Sequence, residues 1–244
     1  MSKDPEIISF RTLRQVIGLI GLFLPVILLL YAGIALDKIN WPPSISHYYY
    51  TDMGNFFVGA LCAVGVFLLC HKGYTVTPDG AEKDPWDQIL SMIAGGTVIL
   101  VALFPTNETS QGDCGFFNVS SSCLRNSVHY LSATIFFTSL GFISAWRFTK
   151  SKHSKSERSQ LKVVHNRIFR VSASVIFGCI AIMALNELLH YSHSTQFTIT
   201  FESIALIAFG IAWLVKGEAL PLNRFYSDRT GTGLPHSIET SRQK

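Results

Sequence analysis

The side chains of this chain that could do chemistry are His47, Asp52, His129, Glu187, His190, His193 and Glu202, with the hydroxyls of Ser46 and Ser132 nearby in sequence. These are the residue types of a hydrolytic zinc site. Imidazoles and carboxylates hold the ion, a metal-bound water attacks an ester or amide, and a carboxylate takes its proton. The candidate ligands are His47, His129, Glu187, His190 and Glu202. The candidate catalytic groups are Glu202, His129, Asp52 and Ser46, and zinc is the cofactor such a set would hold. Glu187, His190 and His193 step by three residues, so on one helix they partly share a face. Glu-x-x-His is a ligand spacing used in helical bundles, although it also recurs by chance. A structural reading competes. His129 and Glu202 could pair and hold helices together, and His190 and His193 could be surface histidines.

Which elements position these residues follows from hydropathy. Six apolar blocks, predicted at about 15–36, 54–73, 88–106, 126–147, 168–189 and 198–216, divide the chain. A helix crossing ~30 Å of hydrocarbon needs about 20 mostly apolar residues. Lipid offers no partner to a free backbone amide, so the blocks should be helices. β-barrel strands would be about 10 residues long and alternating, which these are not. The expected fold is all-α, an integral membrane bundle of six transmembrane helices in one domain, 1–216. A polar tail, 217–244, has the composition of a disordered segment.

Eighteen of the 20 Lys and Arg residues fall on one side of these blocks, leaving only Lys38 and Arg125 on the other. Cytoplasmic loops carry the excess of Lys and Arg, so both termini are expected in the cytoplasm. The net charge of +4 then reflects topology and contact with anionic membrane lipids, and does not point to nucleic acid. The first block follows Arg11 and Arg14, with Gly33 and Ala35 at plausible cleavage positions, yet its 22 uncharged residues exceed a signal core. An uncleaved anchor is expected.

Counting from the nearest cytoplasmic charge at ~1.5 Å per residue places Glu202 about 21 Å across, Glu187 about 25 Å, His129 about 27 Å and Asp52 about 30 Å. One polar layer near the outer face is therefore expected. An acid inside lipid costs about 2.5–3.5 kcal/mol on insertion scales, so Glu202 should face the interior and find a partner, with His129, His47 or a metal as the candidates.

Cys62, Cys70 and Cys179 lie inside apolar blocks and read as small core residues. Cys114 and Cys123, nine apart in an outer loop, could close a disulfide. Asn107-Glu-Thr and Asn118-Val-Ser in that loop are glycosylation-type triplets, relevant only in a eukaryotic host. Gly18, Gly21, Gly59, Ala63, Gly95 and Gly96 fall at helix-contact spacings. Pro25 should kink the first block. Trp41, Tyr48, Tyr49 and Tyr50 suit the outer interface.

The segments Ser44-Ile-Ser-His-Tyr-Tyr-Tyr-Thr51, Gly54-Asn-Phe-Phe-Val-Gly59, His129-Tyr-Leu-Ser-Ala133 and Phe209-Gly-Ile-Ala-Trp-Leu-Val-Lys-Gly217, with Glu202, resemble a group of bacterial six-helix integral membrane proteins of the domain-of-unknown-function type. The resemblance implies a six-helix fold in a bacterial inner membrane, and no activity. A looser analogy is to the alkaline-ceramidase-like membrane hydrolases, where a Ser, an Asp and three His build a zinc site. Ser46, His47, Asp52, His129 and His190 could take such roles, but those enzymes have seven helices and a His-x-x-x-His pair on the last. Here the last block offers Glu202 instead.

Function therefore reads first as a multi-pass membrane protein that binds or senses a lipid or small ligand without catalysis. The alternative is a zinc-dependent hydrolase of a lipid or amphiphile at the outer face. A transporter would need a polar path through both halves and broken helices near the midplane. The inner halves of the blocks are poor in charge, which disfavours it.

Overall fold

The computed structural model describes residues 10–36, 41–71, 85–106, 121–150, 160–189, 194 and 196–219. The described residues are helical, without strands. Six α-helices run α1 Phe10–Ala35, α2 Gly54–Leu69, α3 Trp86–Leu103, α4 Ser121–Phe142, α5 Gln160–Leu189 and α6 Phe197–Lys216. All but α2 are long and apolar enough to cross a membrane, and α2 is a shorter apolar helix. A 3-10 helix, Ile45–Tyr50, precedes α2, and a π-helical segment, Ile143–Arg147, extends α4.

Hydropathy located the blocks better than their ends. Three helices start five or more residues earlier than expected: α1 at Phe10, α4 at Ser121 and α5 at Gln160. An apolar window marks only the part of a helix that lipid would cover, while hydrogen bonding carries the helix into polar sequence. Conversely, α2 ends at Leu69, short of the expected 73. Pro25 is accommodated inside α1.

Each helix packs against its neighbours in sequence, and α1 closes the circuit against α6. The order around the bundle is thus the order along the chain. The α1–α6 contact is close because glycine lines it. A Cβ on Gly210 would sit 2.5 Å from the backbone nitrogen of Leu22 and 2.8 Å from the Gly18 carbonyl. Gly65 of α2 and Gly95 of α3 meet in the same way. Gly59 and Gly96, expected at contacts, instead have open space where a side chain would go. The fully buried Trp213, Phe209, Phe57 and Leu140 fill the centre.

Alternation of the helices creates two polar ends. One gathers the 3-10 helix with Phe104, His129 and Glu202. The other gathers Arg14, His71, Asp87, Arg147 and Lys216.

Candidate functional site

The segment Pro42-Pro43-Ser44 cannot continue α1, because proline lacks the backbone donor and restricts the residue before it. The chain instead turns over the mouth of the bundle as the 3-10 helix Ile45–Tyr50, with Ile45, Ser46 and Tyr48 buried. Three other helices reach up to hold it. From α6, an oxygen of Glu202 accepts the backbone N–H of Ile45 at 2.7 Å. One turn earlier, the N–H of Ile199 donates to the Pro43 carbonyl at 3.0 Å. From α4, Nε2 of His129 lies 2.8 Å from Oγ of Ser46. Beyond the end of α3, the Thr106 carbonyl accepts the Tyr50 hydroxyl at 2.6 Å.

His129 is buried, and both ring nitrogens are engaged. Nδ1 lies 2.7 Å from the carbonyl oxygen of Phe104, which can only accept, so Nδ1 carries the proton. Nε2 of the neutral ring is then an acceptor, and the Ser46 hydroxyl donates to it. Hydroxyl, imidazole and a fixing acceptor in this order form the activated-nucleophile arrangement, with a backbone carbonyl as the third group. His47, next to Ser46, turns to Ser44, whose hydroxyl lies 2.7 Å from its Nδ1. Burial pushes the His47 pKa below its ordinary 6.5. The neighbouring Tyr48 is raised to about 12, chiefly by burial and then by Tyr31.

The expected pairing of His129 with Glu202 is not what the fold makes. Both reach the same short segment, but through different atoms of it: the Ser46 side chain for His129, the Ile45 amide for Glu202. No ion pair reaches Glu202 among the described residues. Its electrostatic neighbour is Tyr130, which also feels Glu187. Asp52 and Glu187 are exposed at the same end. His190 and His193 lie outside the described residues. Among the described residues, no three His, Cys, Asp or Glu side chains converge as a metal site. Ser132 is buried. Cys123 is disulfide-bonded, while Cys62, Cys70 and Cys179 are free; Cys114 lies outside the described residues.

Two open grooves, about 460 Å³ between α5 and α6 and about 480 Å³ between α1 and α2, are lined almost wholly by apolar side chains. They contain none of these polar residues.

Sequence reasoning missed Phe104, Thr106, Ser44 and Ile45. All but Ser44 contribute backbone atoms to these bonds, and residue type carries no signal for a backbone group. Comparison with protein-family models, with curated proteins and with solved structures finds no match.

Proposed function

We propose that this protein is a non-enzymatic, six-span membrane protein that binds an amphiphile at its Ser46 end, recognising a cationic or hydrogen-bond-donating headgroup through Glu202. The reading places both termini in the cytoplasm and the site at the outer face of a bacterial inner membrane, in keeping with the Lys and Arg distribution. One observation carries it. Glu202 is a partly buried carboxylate whose one bond among the described residues, to the Ile45 amide, comes from a neutral donor. A carboxylate offers about four acceptor positions, so most of its capacity remains for a ligand. Tyr130, exposed and within electrostatic range of Glu202, supplies an aromatic surface that attracts a cation. Latching the 3-10 helix onto α6 through the same carboxylate would couple headgroup binding to closure of the mouth.

The test uses detergent-purified full-length protein and two amphiphiles with one chain length, a primary alkylamine and an alkyl maltoside. Preferential amine binding that Glu202→Gln removes supports the reading. Equal binding of both, or amine binding unchanged in Glu202→Gln, overturns it.

A second reading is favoured by one specific observation, the Ser46 hydroxyl donating to His129. It is an acyl-transfer hydrolase in which Ser46 Oγ attacks an ester carbonyl and His129 Nε2 takes its proton. His129 then returns that proton to the leaving alcohol, and water hydrolyses the acyl-enzyme. A fluorophosphonate probe discriminates. Labelling lost in both Ser46→Ala and His129→Ala favours the hydrolase, and no labelling of the wild type removes it.

A further inference from the structure

The opposite end of the bundle holds a second polar cluster that hydropathy does not announce. Asp87, in the first turn of α3, forms a buried ion pair with Arg147 at the end of the π-helical segment. Around that pair, cations from three other helices converge: Arg14 of α1, Lys162 of α5 and Lys216 of α6. Lys216 lies within electrostatic range of Arg14 and Lys162, and also of the carboxylates Asp87 and Glu218. The Lys216 ammonium stands 5.2 Å from the ring centre of Phe148, and Lys162 donates to the Phe148 carbonyl at 3.2 Å. Arg14, Arg147, Lys162 and Lys216 outnumber the carboxylates Asp87 and Glu218, so the cluster keeps a positive excess that an anion seated within it would offset.

Beneath these cations are two buried rings in edge contact, His71 and Trp213, with centroids 5.3 Å apart. His71 is 4% exposed and Trp213 is 0% exposed. Nδ1 of His71 and Nε1 of Trp213 have no hydrogen-bond partner among the described residues. Buried nitrogens are normally satisfied, and an indole N–H can only donate. Two unmet nitrogens beside three cations make a donor-rich, positively charged setting, which suits a compact oxyanion.

We propose that this end is a phosphate-binding site, in which Arg14, Lys162 and Lys216 supply the charge and Trp213 Nε1 and His71 Nδ1 donate to the phosphate oxygens. The phosphate is that of a phospholipid headgroup or of a soluble phosphate, and the chemistry of recognition is the same for both. The site is independent of the headgroup site at the Ser46 end.

The test uses the full-length protein in a phosphate-free, lipid-free maltoside. In one arm, inorganic phosphate binding is followed by equilibrium dialysis. In the other, retention of phosphatidic acid is compared with diacylglycerol by native mass spectrometry. Saturable phosphate binding assigns a soluble ligand, and retention of phosphatidic acid over diacylglycerol without it assigns a lipid. In either case the double variant Arg14→Gln, Lys216→Gln should weaken binding about tenfold or more, since two charged contacts are removed. The conservative Lys216→Arg should retain it. Trp213→Phe, which keeps a ring but removes the N–H, should weaken binding without abolishing the folded state. No binding in either arm, or equal binding by wild type and the double variant, overturns the proposal.

Discussion

Ser46 and His129, 83 residues apart in sequence, are joined by a 2.8 Å hydrogen bond whose direction is set by a third group. The Phe104 carbonyl claims the proton on Nδ1, so the Ser46 hydroxyl must be the donor to Nε2. One buried imidazole thereby ties α4 to the end of α3 and to the 3-10 helix that crosses the mouth.

Removing His129 should accordingly cost more than removing Ser46. His129→Ala strands both the Ser46 hydroxyl and the Phe104 carbonyl, at about 1–3 kcal/mol for each buried group left unmet. Ser46→Ala leaves only Nε2 without its partner. Thermal unfolding in detergent should show the larger loss for His129→Ala; equal losses would mean that the Phe104 bond contributes nothing.

The mouth should loosen in acid. His47 is held below its ordinary pKa of 6.5 by burial, so the unfolded state takes up a proton first as the pH falls. This contribution to stability is complete above about pH 6.5 and declines below it, toward the lowered folded value. Protonation also leaves Nδ1 able only to donate toward the Ser44 hydroxyl. Hydrogen exchange of the 44–50 amides should accelerate between pH 7 and pH 5 beyond the intrinsic rate change. His47→Asn should flatten that dependence.

Asp87 and Arg147 should be far more sensitive singly than together. Their side chains are 12% and 2% exposed. Removing one takes the nearest counter-ion from a buried charge, at a cost of up to about 3–5 kcal/mol. Unfolding of Asp87→Ala, Arg147→Ala and the double variant would show it, with the double variant recovering part of the loss. Strict additivity would mean the two charges do not interact.

Gly210 and Gly59 should respond oppositely to the same substitution. Gly210→Ala places a methyl group 2.5 Å from the Leu22 amide and must push α1 from α6, at about 1–3 kcal/mol for an overpacked contact. Gly59→Ala meets nothing and should be neutral or slightly stabilising, because alanine favours helix. Comparing their melting temperatures checks both.

How much of this was legible in the sequence differs between elements. The apolar blocks announced the helices, because covering a helix with lipid is a property of a run of residues and needs no knowledge of what it packs against. Periodicity and charge also brought His129 and Glu202 to one level, as counting rise along a helix can do. Lys and Arg placement gave the expected orientation, because it depends on which side of a membrane a charge faces and not on which helices touch.

Partnership was decided only by tertiary structure. Glu202 bonds the Ile45 amide and not an imidazole, and His129 bonds a serine and a carbonyl, because proline turns the chain between α1 and α2 back over the mouth. The cluster of Arg14, His71, Lys162, Trp213 and Lys216 was equally hidden. Its members sit toward the ends of three helices, α1, α5 and α6, and just beyond a fourth, α2, where each alone reads as an ordinary boundary residue. Hydropathy and helical rise are local quantities, summed along the chain. Which buried polar group meets which depends on the packing of helices far apart in sequence, and on backbone atoms that no side-chain pattern records.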